Sequence, residues 1–234
     1  MRLALMQPYL FPYVGYFHLV SAADLFVFYD DVSYIKQGWI NRNRILLNSV
    51  PHNFVLPCSN ISSNRTIREV EVDRNNVIFK KLLKILKNAY SKAPYFNSVF
   101  SIVEQVLNSE KSSIADIAAE SVMACCAHMG INREFCFSSD CAISTNGMHG
   151  EDRVLMIAEN YGASVYLNAP GGRDLYNAER FAARNMILEF VETPILAYQQ
   201  FGAPFVPSLS ILDVLMFNDV DQALALVSGK QNLL

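Results

Sequence analysis

The sequence predicts an α/β fold with a mostly parallel sheet and helices on both faces, and three observations carry that prediction. Short apolar runs alternate with helix-period segments at both ends of the 234-residue chain. The runs RLALMQ and DLFVFYD are apolar at consecutive positions, as strands covered on both faces are. The segment between them is long enough for one crossover helix, so the chain opens as a βαβ unit.

The elements follow in order. After RLALMQ comes a loop, a helix near Tyr13 to Ala22, and the strand DLFVFYD. From Trp39 to Val72, β-branched runs broken by Pro and Asn-Ser turns predict a hairpin or small β insert. NNVIFKKLLKILKNAY places apolar residues three and four apart with lysines opposite, which predicts an amphipathic helix. Two more helices are expected near Tyr95–Asn108 and Ser113–Met129. Alternation then returns with REFCFSS, GEDRVLMIAENYG, ASVYLNA, LYNAERFAARN and MILEFV, and LSILDVLMFN and DVDQALALVSG close the chain as helices. The expectation is one Rossmann-like α/β domain over residues 1–234, with residues 40–130 forming a β-hairpin and helical insertion.

Composition narrows function before any motif is read. With 52% hydrophobic and 18% charged residues the chain can bury a full core. A formal charge of -3 and a pI near 5.8 give no broad basic field for DNA. No apolar run approaches the ~20 residues of a membrane span, and the N-terminus lacks a signal-peptide pattern, so a cytoplasmic protein is expected. The five cysteines sit in apolar contexts and read as small buried hydrophobes, with no zinc or disulfide framework expected.

In an open parallel sheet the chemistry sits in loops beyond the carboxyl ends of the strands. The first such loop, in MQPYLFPYVGYFHL, is stiffened by Pro8 and Pro12, and Gly15 permits close approach. Gln7, Tyr9, Gly15, Tyr16 and His18 are its binding candidates, against the plainer reading of a helix start plugged by aromatics. The second, YDDVSYIKQGWINRNR, gathers Asp30, Asp31, Tyr34, Lys36, Trp39, Asn41, Arg42 and Arg44. A carboxylate there suits metal, a sugar hydroxyl or general-base work; Arg and Lys suit phosphate; the single tryptophan suits stacking. Alternation at a strand end places Asp30 and Asp31 on opposite sides.

The third loop, SSDCAISTNGMHGEDRVL, offers Ser138, Ser139 and backbone amides to an anion, with Ser, Thr, Asn and Gly crowded before a helix. Glu151 and Asp152 suit that helix's dipole, and Arg153 follows them. The fourth, LNAPGGRDLY, places Gly171, Gly172 and Tyr176 before a helix without P-loop spacing or lysine. Ser210 and Asp213 lie at the start of a late apolar helix, where a buried Asp213 needs partners, whether structural or beside a site.

MQPYLFPYVGYFHLV, DLFVFYDDVSYIKQGWINRNRI, Ser-Ser followed by DRVL, GASVYLNAPGGRDLY and FVPSLSILDVLMFN stand in the order and spacing of the WbqC-like family, which this chain resembles over nearly its whole length. It departs from the family pattern with Asp152-Arg153 for Glu-Arg and Asn168-Ala169 for Ser-Gly. The resemblance implies a role in bacterial surface-polysaccharide (O-antigen) biosynthesis as a glycine transferase acting on an amino sugar. In that role Asp30 or Asp31 with Tyr34 would deprotonate the sugar ammonium. Arg42, Asn41 or loop amides would hold phosphate or oxyanion, and Trp39 and Tyr16 would stack on base or sugar. The expected partners are a nucleotide-linked amino sugar and an activated amino acid, supplied as free glycine plus ATP, a carrier-protein thioester or aminoacyl-tRNA; a homodimer is open. The opening also resembles the adenylate-forming nucleotidyltransferase-like group, which would bring ATP with Mg²⁺. That group carries paired histidines where this chain has Pro12 to Gly15 and a histidine only at His18. A non-catalytic nucleotide-sugar binder or pathway scaffold, and a glycosyltransferase, remain the alternatives.

Overall fold

A computed structural model describes residues 1–142, 147–202 and 204–229. The central sheet holds β1 (Arg2–Met6), β2 (Leu25–Phe28), β7 (Glu134–Phe137), β8 (Val165–Asn168) and β9 (Ile187–Phe190), in the order β7-β2-β1-β8-β9. Every neighbouring pair is parallel. The α/β expectation therefore holds, and its sequence signature has a direct cause. Leu3, Leu5, Leu25 and Val27 pack into one core, whereas Ala4, Phe26 and Phe28 pack into another. Alternate residues of β1 and β2 serve opposite layers, so their central positions are apolar on both faces.

One layer holds α5 (Gly150–Asn160) and α6 (Ala178–Ala182), through Val154, Leu155, Ile157 and Phe181. The other holds α1 (Val14–Ala22), α4 (Ile114–His128), α7 (Ile211–Phe217) and α8 (Val220–Val227). Successive connections move outward from β1 to β2 and β7 on one side, and to β8 and β9 on the other. The switch in direction falls between β1 and β8, where open α/β sheets leave a crevice.

Between β2 and β7 the chain forms the antiparallel hairpin β3 (Arg42–Leu47) and β4 (Val50–Val55), the short pair β5 (Cys58–Ser59) and β6 (Glu71–Val72), and then α2 (Val77–Tyr90), α3 (Phe96–Leu107) and α4. Asn48 and Ser49 make the hairpin turn at φ 52° and 62°, the left-handed pair that a two-residue hairpin requires. Polar side chains cap two of these helices: Asn76 accepts from the Ile78 amide and Ser113 from the Ala115 amide. The stretch LYNAERFAARN is less helical than its pattern predicts. Pro170–Leu175 form a 3-10 turn, and α6 begins only after Asn177 caps it.

Residues 191–209 carry no regular element among the described residues, yet they are anchored. Asp213 on α7 is fully buried and accepts from Tyr90 Oη (2.9 Å), Tyr198 Oη (2.9 Å) and Gln200 Nε2 (2.8 Å). It is a partnered group tying this long segment to the core. Burial pushes its carboxyl above the ordinary 3.8, against the pull of its three donors. The folded chain thus holds that proton more tightly than the unfolded chain. The group's contribution is complete below about pH 4 and is lost as pH rises through the raised value. Asp213→Asn is expected to remove the part of the stability that falls as pH rises above about pH 4, and an unchanged pH slope in thermal melts would contradict this assignment.

Candidate functional site

A crevice of about 670 Å³ opens at the switch point between the carboxyl ends of β1 and β8. One wall comes from the loop after β1 and the start of α1, including Gln7, Tyr9, Tyr13, Gly15 and Tyr16. Trp39, Asn43 and Arg44 come from the insertion, and Tyr29 from the end of β2. Asn168, Gly171, Gly172, Leu175 and Tyr176 close the far side after β8, and Ser208 reaches in from the long segment. Most polar groups here are phenols and amides. Burial raises the phenols of Tyr9, Tyr16 and Tyr29 above their ordinary value, so they act as neutral hydrogen-bonding groups. Arg44 is the ionised side chain among the described lining residues, which include no carboxylate, histidine or cysteine.

The first wall is rigid for a local reason. Phe11 is fully buried at φ 42°, a costly conformation for a bulky residue. Its amide donates to Ser121 Oγ (2.8 Å), and its carbonyl accepts from Asn43 Nδ2 (2.8 Å) and Ser210 Oγ (2.7 Å). The Pro12 carbonyl accepts from the Ile211 amide (2.7 Å). Ser210 also caps α7 through the Leu212 amide, so it is a brace behind the wall. Tyr16 Oη donates to the Gln7 carbonyl (2.9 Å), closing the loop upon itself. Gly15 lets the Tyr13 ring lie against the helix: a Cβ there would stand 2.3 Å from that ring, which would have to move. Beyond that ring lies a second cavity of about 170 Å³, lined by Ile195, Leu196, Tyr198 and Phe205 and sharing Tyr13, Gly15 and Ser208 with the first.

The expected catalytic group is not assembled in this crevice. Asp30 is fully buried and accepts from Ser138 Oγ (3.1 Å), Ser139 N (3.0 Å), Ser139 Oγ (2.8 Å) and Arg68 Nη1 (3.0 Å). Asp31 accepts from the same Ser138 hydroxyl and pairs with Arg153. Strand alternation had placed the two carboxylates on opposite sides. They converge because β2 ends at Phe28 and both lie in the loop beyond it. The anion that Ser138 and Ser139 hold is the chain's own, and the repulsion between the two acids is offset by one arginine each.

Other candidates hold loops in place. Tyr34 Oη donates to Asn41 Oδ1 (2.8 Å), and Asn41 Nδ2 donates to the Leu56 carbonyl (2.8 Å), all buried. Arg42 Nε donates to the Gly38 carbonyl (2.9 Å) and its guanidinium lies 5.9 Å over the Trp39 ring, so it braces the tryptophan. Lys36 is exposed outside the lining. His18 is buried on α1 with Nε2 2.7 Å from the Leu226 carbonyl, away from the crevice, and burial lowers its pKa against that bond. Of the candidates, Gln7, Tyr9, Gly15, Tyr16, Trp39, Arg44, Gly171, Gly172 and Tyr176 are brought together. Asn43, Asn168 and Tyr29 were not singled out from the sequence. The strand-end rule applied to YDD and to YLNA would have found Tyr29 and Asn168; Asn43 carries no such signal. The Ser144 to Asn146 part of the third loop lies outside the described residues. Among the described residues no three His, Cys, Asp or Glu side chains group as metal ligands, and no helix is long and apolar enough to cross a membrane.

Fold and crevice together define a doubly wound α/β chain whose insertion completes a pocket at the switch point. The chain belongs to the WbqC-like protein family, whose model matches residues 7–224. It is 26% identical over 220 residues to the "Uncharacterized protein Rv1507c" of Mycobacterium tuberculosis (strain ATCC 25618 / H37Rv), an alignment covering 93% of each chain. No solved structure matches.

The two groups of residues should separate in a stability measurement. Asp30→Ala removes the buried acceptor shared by Arg68 and Ser139 and leaves Ser138 only Asp31, and is expected to cost about 1–3 kcal/mol. Trp39→Ala, at a residue 43% exposed, should cost under about 1 kcal/mol. Denaturant melts of the two variants compare them, and equal losses would show that the crevice wall is itself part of the core.

Proposed function

We propose that the switch-point crevice binds a nucleotide-linked deoxyamino sugar and that the chain moves an aminoacyl group, glycyl first among the candidates, onto the sugar amine. The observation that supports this best is the crevice itself. Its volume suits a ligand of that size, its walls are aromatic, and among the described residues its charge is a single arginine. The class of reaction rests on the family resemblance.

The lining bears on how such a reaction would run. The amine nitrogen attacks the activated acyl carbon, the N–C bond forms, and the C–O or C–S bond to the donor breaks. The amine's proton has to leave, and among the described residues no lining carboxylate or imidazole is placed to take it. A thiolate or alkoxide leaving group can take it instead, which favours a donor already activated as a carrier thioester or aminoacyl-tRNA. Among the described residues no lining carboxylate fits Mg²⁺ either, so no step here passes through ATP. The same lack of a base favours, as a second reading, a nucleotide-sugar binding protein without turnover.

One experiment separates the two. Nucleotide-linked 3-amino and 4-amino deoxysugars are incubated with the protein and, in turn, with glycine plus ATP and Mg²⁺, a glycyl thioester, or glycyl-tRNA, and products are weighed by mass spectrometry. The expected result is the mass gain of one glycyl group with a pre-activated donor. Sugar-dependent stabilisation of about 2.7 kcal/mol at a hundredfold excess over Kd, with no product from any donor, would leave the binding reading alone.

A further inference from the structure

A ligand of this class carries a diphosphate, and the fold alone would place it on the amides at the start of α1. Two observations direct it elsewhere. The start of α1 is occupied by its own chain: the Tyr13 ring lies against Gly15, the Tyr16 amide already donates to the Tyr13 carbonyl (3.0 Å), and the chain at Ser210 pairs with Tyr13 across the same turn. The crevice's charge comes instead from the inserted hairpin. Arg44 on β3 is partly buried, lines the crevice and has no carboxylate partner among the described residues. Its Nη2 donates to the Ser208 carbonyl (3.2 Å), which Ser208 presents from a left-handed φ of 57°, and its own carbonyl accepts from the Ser210 amide (2.8 Å). One edge of the guanidinium is thereby fixed. Trp39, five residues earlier, lies on the same wall.

We propose that Arg44 is the anion anchor of the crevice, holding the phosphate oxygens of a nucleoside-diphosphate ligand, so that the insertion takes over the task usually done by the first helix. The proposal rests on the nucleotide-sugar reading of the crevice. An arginine fork donates two hydrogen bonds to a phosphate, and charge-assisted bonds of this kind change affinity by about ten to a hundredfold.

The test titrates inorganic pyrophosphate, uridine and thymidine 5′-diphosphates, and the two parent nucleosides into the wild type, Arg44→Gln, Arg44→Lys and Tyr13→Ala by calorimetry, with melts to show that each variant is folded. The expected wild-type result is a preference for diphosphate over nucleoside that narrows as salt rises. Arg44→Gln should weaken diphosphate binding about ten to a hundredfold while nucleoside binding changes less than about threefold, and Arg44→Lys should fall between. Tyr13→Ala should keep the preference. If the preference survives Arg44→Gln or is lost in Tyr13→Ala, or if the wild type shows none, the anchor is not Arg44. If pyrophosphate binds through Arg44 while no nucleotide does, the anchor stands and the nucleotide reading of the crevice fails. Should Arg44→Gln not fold, the lysine variant and the wild-type salt dependence decide.

Discussion

The left-handed backbone at Phe11 is the constraint on which the crevice depends. Holding a buried aromatic residue there costs about 1–3 kcal/mol, and such a conformation persists only where its surroundings over-determine it. Here three side chains do so, from regions remote in sequence: Ser121 on α4, Asn43 on the inserted hairpin and Ser210 at the start of α7. Ser121 satisfies the buried Phe11 amide, and Asn43 and Ser210 share its carbonyl. The loop after β1, the hairpin and two helices therefore meet at one peptide. The prolines at positions 8 and 12 limit the loop's freedom further. This is a physical use for stiff, costly residues where the first strand ends: they fix one wall of the crevice.

Charge is divided along the same lines. Asp30 and Asp31 are neighbours within reach of one serine hydroxyl, and their repulsion is met by Arg68 from the insertion and Arg153 from α5. Arg153 also lies 5.0 Å over the ring of Tyr29, a crevice residue, so the closed ionic group backs one side of the pocket. Buried carboxylates with arginine partners join elements. An arginine without a carboxylate partner, in a lining without acids among the described residues, is open to an anion from outside. The chain's overall charge of -3 does not reveal this difference, because it averages over the groups that have already paired.

The fold was legible because its causes are local. Runs such as LALM and LFVF have to be apolar on both faces, and the amphipathic α2 and the Asn-Ser hairpin turn carry their own signatures. The candidate site was legible only by loop. Strand-end reasoning pointed to the segments that supply Gln7, Tyr9, Tyr16, Trp39 and Tyr176, all of which reach the crevice. It could not tell a free carboxylate from a paired one, since the partners of Asp30 and Asp31 lie 38 and 122 residues away in Arg68 and Arg153. Nor could it separate Tyr34 and Asn41, which bond each other, from Trp39 between them, which faces outward. Those distinctions arise from tertiary pairing and carry no local pattern.

The insertion is part of the site's design for a reason that starts at Gly15. Without a Cβ there, the Tyr13 ring can fold back over the first turn of α1, and it makes a neutral aromatic wall where this class of fold often offers its amides to phosphate. A crevice so lined has apolar surface and hydrogen-bonding phenols but no charge of its own. Adjacent residues of β3 supply what the first loop gives up. Asn43 turns toward the Leu10 and Phe11 carbonyls and holds the strained loop, while Arg44 brings a guanidinium to the crevice. One strand thus both braces the wall and charges the pocket, so displacing the hairpin would disturb the two together.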